Sequence, residues 1–254
     1  MKTAIITGAS SGIGREFAIR ISEKIQLDEI WLIARREKEL YDTAEAIKTK
    51  TRVICLDLSL PESTDALQTM LDSEKPEIVT LINAAGLGKF EEVAENSKTD
   101  IDNMINVNIR ALTQICRMCI PYMKSGAIIN MASVSGFTPL PYLNVYSATK
   151  AYVLHFSNAL SRELKNKNIF VTAVCPYWVA SEFIPVAQRG NGGDSINNFM
   201  LITYPYAVVR RTFADIAKGK TVSMSAVSKA IKCTLKLLPQ KCVFGIWDKV
   251  RKLQ

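Results

Sequence analysis

Short apolar runs recur along the chain at strand length, separated by longer segments in which apolar residues return every three or four positions. The runs TAIITG (3–8), EIWLIA (29–34), RVICLD (52–57), IVTLIN (78–83), AIINMAS (127–133) and IFVTAVCP (169–176) are apolar at successive positions, as strands buried on both faces of a sheet must be. Between them, Arg15 to Lys24 and Glu37 to Lys48 carry the helical period of a one-sided apolar stripe. Strand and helix alternate, and the connections are long enough for crossover helices. This predicts an α/β fold with a doubly wound parallel sheet and helices on both faces. No repeat, low-complexity tract or Gly/Ser-rich linker divides residues 1–254, so one domain is expected. The pattern weakens after Ser181. From about 183 to 220 the chain carries Gly190, Gly192, Gly193, Pro185 and Pro205 among patchy apolar clusters, the composition of a loop or lid over a site.

A net charge of +8 favours anionic partners without choosing among them. Lys and Arg are spread along the chain with acids interleaved rather than concentrated on one element, which argues against nucleic acid. The start MKTAIITGAS lacks the apolar core and cleavage site of a signal peptide, and no apolar stretch approaches the ~18 residues of a spanning helix, so a soluble cytoplasmic protein is expected. Cys116 and Cys119 form a lone C-x-x-C. With no second pair nearby and His155 the sole histidine, they read as reduced core thiols, and no metal site is expected.

The first apolar run leads into ASSGIG and then a helix, which places Gly8, Gly12 and Gly14 at a strand-to-helix turn. Glycines there let backbone N–H groups approach a pyrophosphate while the helix N-terminus favours its charge, so a Rossmann-type dinucleotide site is expected. Gly8 to Gly12 also spell G-x-S-x-G, the nucleophile turn of α/β-hydrolases, with Ser10 as nucleophile. That alternative needs a histidine downstream, and His155 lies within a helical pattern. In dinucleotide folds a carboxylate about 20 positions past the glycines binds the ribose 2′-hydroxyl. Here that position is Ala34, followed by Arg35 and Arg36, whose forked donors suit a 2′-phosphate. NADP(H) is favoured over NAD.

Tyr146 and Lys150 in YSATK lie four apart, hence on one helix face. Lowering a tyrosine from ~10 to neutrality takes about 3 pH units, roughly 4 kcal/mol, and a nearby ammonium is one source of it. Joined to the glycine turn, these residues make the chain resemble the short-chain dehydrogenase/reductase family over 3–181, and more loosely to the end. TGASSGIG (7–14) is similar to the family's cofactor turn, which brings in Ser10, Ser11 and Ile13, and NAAG (83–86) is similar to its next signature, which stabilises the sheet and lines the adenine ribose, here with Asn83 and Ala84. Asp57 and Leu58 match its adenine-contacting position. The resemblance implies a catalytic tetrad of Asn108, Ser133, Tyr146 and Lys150. Asn106 competes for the asparagine, with Asn108 preferred because VNIRA fits the family's pattern. Implied roles are Tyr146 as general acid in reduction, Ser133 as donor to the carbonyl oxygen, Lys150 as tyrosine tuner and ribose ligand, and Asn108 as holder of a relay water. CPYWVAS (175–181) resembles the nicotinamide segment, with Pro176, Val179 and Ser181 near the carboxamide. Tyr177 replaces the family's usual glycine and is expected to touch substrate or narrow the mouth.

The expected activity is therefore NADP(H)-dependent hydride transfer between a ketone or aldehyde and its alcohol, with a catalytically silent NADP-binding regulator as a further alternative. Phe183, Ile184, Phe199, Met200, Leu201, Tyr204, Tyr206 and Phe213 suggest a bulky apolar substrate, and KGKTVSMSAVSKAIKCTLKLLP resembles a branch with hydroxysteroid and 3-oxoacyl reductases. A homodimer or homotetramer is implied, with Val153, Leu154 and Phe156 as material either for its surface or for core packing. The basic end WDKVRKLQ suits an anionic membrane or acyl carrier.

Overall fold

The structure is a computed structural model, and it describes residues 1–189 and 196–251. All the expected apolar runs form strands: β1 (Lys2–Thr7), β2 (Glu29–Ala34), β3 (Thr51–Cys55), β4 (Glu77–Asn83), β5 (Gly126–Met131) and β6 (Ile169–Val174). A two-residue strand, β7 (Val222–Ser223), completes a seven-stranded sheet in the order β3-β2-β1-β4-β5-β6-β7. Every pairing is parallel. The order reverses between β1 and β4, so the chain winds outward in both directions and leaves a crevice at the carboxyl ends of those strands.

Alternation along each strand splits the core into two layers. Ile5, Trp31 and Ile33 face one layer with Leu81 and Ile128, while Ala4, Ile6, Ile30 and Leu32 face the other with Ile82 and Ile129. Helix α1 (Gly12–Ile21) covers the second layer, and Phe17 packs edge-on against Phe213 of α8 (Pro205–Ile216) at 5.6 Å. The first layer lies under α3 (Pro61–Glu74), α5 (Leu112–Cys119) and α6 (Asn144–Glu163). Helix α2 (Glu37–Glu45) follows β2, as its pattern predicts. Val153 and Leu154 are buried in the chain's own core. Cys116 and Cys119 are buried free thiols, Cys116 pushed up to about 12 by desolvation.

Helix α4 (Lys98–Ile105) runs into a π-helical turn, Asn106–Ala111, before α5 begins. Such turns are rare, and the extra residue re-aims side chains. Here it buries Val107, Asn108 and Ala111 together. After β6 come α7 (Phe183–Ala187) and α8, then α9 (Ala226–Leu237) and α10 (Gln240–Val250). Gly190, Gly192 and Gly193 of the expected loop, and the last three residues of WDKVRKLQ, lie outside the described residues. No helix among the described residues is long and apolar enough to cross a membrane.

Candidate active site

A cavity of about 790 Å³ opens at the carboxyl ends of the central strands. At one end lies the β1–α1 turn. Gly8 adopts φ +68, and a Cβ there would stand 2.7 Å from the Ala85 backbone nitrogen; at Gly14 it would stand 2.2 Å from the Gly8 carbonyl oxygen. Only glycine lets the turn close this tightly on β4 and on itself. Ser11 caps α1 with an extended backbone, and its side chain makes no capping hydrogen bond. The first N–H groups of α1 therefore have no side-chain acceptor, as a phosphate-binding helix start requires. Ser10, Ser11, Gly12 and Ile13 line the cavity with them.

The strand tips beside this turn build the outer end of the cavity. Asp57 Oδ1 accepts from the Ser59 N–H at 2.9 Å and the Ser59 hydroxyl at 2.8 Å, which fixes its carboxylate, and Leu58 is buried beside it. Arg35 extends toward Asp57 at 3.8 Å with its side chain 63% exposed. Arg36 reaches inward. Its Nη2 donates to Glu182 Oε2 at 2.7 Å and to Ser10 Oγ at 3.4 Å. Ala84 lines the cavity, whereas Asn83 does not: its amide donates to Asn130 Oδ1 at 2.9 Å and to Cys116 Sγ at 3.2 Å inside the sheet. The Asn83 side chain thus ties β4 to β5, while Ala84 faces the cavity.

At the centre, Ser133, Tyr146 and Lys150 line one wall. Lys150 is 4% exposed; its Nζ donates to the Met131 carbonyl at 2.8 Å and lies 5.6 Å from the centre of the Tyr146 ring. Desolvation lowers Lys150 to about 8 and raises Tyr146 above its ordinary range, with the adjacent Ser133 hydroxyl acting in the opposite direction. Lys150 is not among the groups that shift Tyr146. Lys150 is buried, whereas the Tyr146 ring is partly exposed along the cavity wall.

Asn108 is fully buried behind this wall. Its Nδ2 donates to the Leu87 carbonyl at 2.9 Å and to Thr149 Oγ1 at 3.0 Å, and its Oδ1 accepts from the Leu87 N–H at 3.1 Å. Both amide hydrogens are used, which leaves one Oδ1 lone pair. A Cβ placed on Gly86 would stand 3.2 Å from both Asn108 Oδ1 and Lys150 Nζ, so the two groups flank one small space. Asn106 is half-buried and has no comparable set of bonds to the wall. The structure brings Asn108, not Asn106, to the site.

Pro176, Tyr177, Val179 and Ser181 all line the cavity, and the Pro176 carbonyl accepts from the Val134 N–H at 3.0 Å. Phe183 packs on Tyr146 with ring centres 5.3 Å apart. Of the large residues expected from 183–220, Phe183 and Ile184 reach the cavity. Phe199 packs against Phe90 and Trp178, Phe213 lies under α1, and Met200, Leu201, Tyr204 and Tyr206 are exposed. The far wall comes instead from α9, α10 and the link between them, through Ile231, Leu235, Leu238, Val243, Ile246 and Trp247; the sequence marked the segments that hold Ile231, Leu235, Leu238 and Trp247 without naming these residues as pocket lining. His155 is exposed on α6 and does not line the cavity, so Ser10 has no histidine and the hydrolase alternative is withdrawn. Among the described residues no cluster of three metal-ligating side chains occurs.

A sequence model of the short chain dehydrogenase family matches residues 2–189. The chain belongs to this family. Over 209 residues it is 35% identical to the very-long-chain 3-oxoacyl-CoA reductase of Rattus norvegicus, an alignment that covers 78% of this chain and 65% of that relative's length. The chain thus spans less than two thirds of the curated relative it matches. The NADPH complex of a short-chain dehydrogenase from Sphingobium yanoikuyae superposes with a TM-score of 0.79 at 26% identity, covering 100% of this chain and 98% of that one. The bulky-bulky ketone specific alcohol dehydrogenase of Comamonas testosteroni gives 0.73 at 26% identity, covering 94% and 96%.

Proposed function

We propose that this short-chain dehydrogenase interconverts a ketone and its alcohol with NADP(H), on a bulky, mainly apolar substrate. The observation that carries the reading is the meeting, in one cavity, of the uncapped glycine turn and the Ser133, Tyr146 and Lys150 side chains. The residues fit a dinucleotide: the cradle at Gly8 and Gly14 is one that a Cβ would fill, and Arg36 reaches it from the adenosine end. Gly8, Ser10, Ser11, Gly12, Ile13 and Gly14 would hold the pyrophosphate, with Arg35 and Arg36 at the 2′-phosphate, Asp57, Leu58 and Ala84 at the adenosine, and Pro176, Val179 and Ser181 at the nicotinamide end.

When bound, the reduced cofactor supplies the hydride. Tyr146, which burial keeps protonated at neutral pH, donates its phenolic proton to the substrate oxygen as negative charge develops there. The Ser133 hydroxyl donates a hydrogen bond to the same oxygen. Lys150, still mainly charged at pH 7, opposes the charge left on the phenolate. Asn108 holds the Leu87 backbone and Thr149 in place, and its remaining lone pair faces the space shared with Lys150, where a relay water fits its chemistry. A complete acid, donor and cation set has no purpose in a silent binding protein, so that alternative is set aside.

Leu140, Leu143, Trp178 and Phe183 on the cavity wall, with the aliphatic face of α9 and α10, support an apolar substrate. The relatives named for 3-oxoacyl and bulky ketone substrates agree with that chemistry. The test follows NADPH absorbance with small polar, steroidal and long-chain carbonyls, for wild type and Tyr146→Phe. Tyr146→Phe is expected to lower turnover by ~10²–10⁴ while NADPH binding persists. Near-normal turnover refutes the assignment, and a tenfold preference for small polar carbonyls refutes the apolar pocket.

A further inference from the structure

The carboxylate that dinucleotide sites place at the end of the second strand is absent here, where Ala34 stands. The structure supplies one from elsewhere. Glu182, at the start of α7, reaches across to Arg36, 146 residues away in sequence, and its Oε2 accepts from Arg36 Nη2 at 2.7 Å. The same guanidinium touches Ser10 Oγ at 3.4 Å and Glu39 Oε1 at 3.5 Å, and Arg36, Ser10 and Glu182 line the cavity together. The adenosine end thus holds a cation suited to a 2′-phosphate and an anion suited to a 2′-hydroxyl in direct contact.

We propose that Glu182 sets the choice between NADPH and NADH by competing with the 2′-phosphate for Arg36. This rests on the reading that Arg35 and Arg36 receive that phosphate. A phosphate monoester carries nearly two negative charges at neutral pH. To bond Arg36 it must displace the Glu182 carboxylate or lie beside it, and either costs binding. A ribose hydroxyl has no such conflict: it donates to the carboxylate while Arg36 keeps its partner. Arg36 therefore pulls the preference toward NADPH and Glu182 pulls it back. Glu182 is ordinarily charged, since the Arg36 hydrogen bond holds its carboxyl below the usual range. With its side chain 56% exposed, the interaction acts in a water-like medium, where two like charges against one at ~4–5 Å change affinity by about tenfold after screening.

The experiment measures dissociation constants for NADPH and NADH by quenching of tryptophan fluorescence in the full chain, with Glu182→Gln, Glu182→Asp, Arg36→Ala and Arg35→Ala. Glu182→Gln is expected to tighten NADPH about tenfold and to leave NADH unchanged or weaken it a few-fold. The gain should shrink in concentrated NaCl, where screening shortens to ~3 Å at 1 M. Glu182→Asp, which keeps the charge, should stay near the wild-type ratio. If Glu182→Gln leaves the NADPH/NADH ratio within twofold of wild type, or weakens both cofactors equally as loss of a merely structural strap would, while Arg36→Ala still weakens NADPH selectively, the role given to Glu182 is wrong and the phosphate reading stands. If neither arginine variant alters the ratio, the phosphate reading has failed and the proposal falls with it.

Discussion

Replacing Lys150 by Met should abolish activity and stabilise the fold. The side chain is 4% exposed, donates to the Met131 carbonyl, and has its pKa lowered by desolvation from 10.5 to about 8. Each pH unit of that displacement is worth ~1.4 kcal/mol, so at pH 7 the buried ammonium costs the folded state roughly 3 kcal/mol relative to an ordinary lysine. Methionine has a similar length and no charge to desolvate. Against it stands the Met131 carbonyl, which loses its donor at about 1 kcal/mol. The net gain is ~2 kcal/mol, or about 4–8 °C in melting temperature for a chain of this size. The pH dependence identifies the cause. Below pH 8 folded and unfolded chains both hold the proton, and the full cost is present. Between about 8 and 10.5 the unfolded chain binds more protons than the folded one, so wild-type stability rises with pH relative to the variant. Thermal melts by circular dichroism from pH 6.5 to 10.5 should therefore show a gap that closes above pH 8. A variant that melts at or below wild type at pH 7, or a gap indifferent to pH, refutes the argument.

Three further outcomes follow from particular contacts. Gly14→Ala puts a Cβ 2.2 Å from the Gly8 carbonyl, a backbone atom that cannot swing aside, so a loss of about 3 kcal/mol in urea unfolding and at least tenfold weaker NADPH binding by fluorescence are expected. Asp215→Ala removes a buried carboxylate that accepts from Lys220 at 2.7 Å and from Ser223 at 3.0 Å; it should cost ~2–3 kcal/mol in the same assay and loosen β7, seen as faster amide exchange at Val222 and Ser223. Trp247→Ala removes both a cavity wall and the indole bond to the Pro141 carbonyl at 2.9 Å, and should raise KM for a long apolar ketone about tenfold while a small ketone changes little.

The sheet was legible because strands buried on both faces are continuous apolar runs, and each of the six runs became a strand in parallel register. β7 was not legible, since two residues carry no period. Its place depends on Asp215 gripping Ser223 and on the Cys175 N–H bonding the Ser223 carbonyl at 2.8 Å, which are tertiary facts. The same holds for the π-helical turn: NVNIRA has ordinary helical spacing, and the extra residue becomes visible only when Asn108 is seen buried between Leu87 and Thr149. The residues that line the cavity from the strand tips and from α6 were legible through fixed local spacings, such as Tyr146 and Lys150 on one helix face.

What the sequence misplaced shares one physical cause: those positions meet partners far along the chain. The large residues of 183–220 suggested a pocket lining, yet most pack elsewhere or face solvent, because the stretch has no period to say which way each points. The actual far wall, α9 and α10, is held by bonds to the segment just before the catalytic helix. Trp247 donates to the Pro141 carbonyl, and the Arg251 guanidinium lies 3.8 Å above the Tyr142 ring, at a residue whose φ of +64 is unusual for a side chain other than glycine. The helix that shapes the substrate pocket is thus tied to the loop that leads into Tyr146. A Trp247 variant should therefore be read by its kcat for a small ketone, expected to change little, before its KM for a long one is interpreted. If that kcat holds while the long-ketone KM rises, α10 acts as a wall. If the small-ketone kcat falls as well, its larger contribution is to hold the loop before Tyr146.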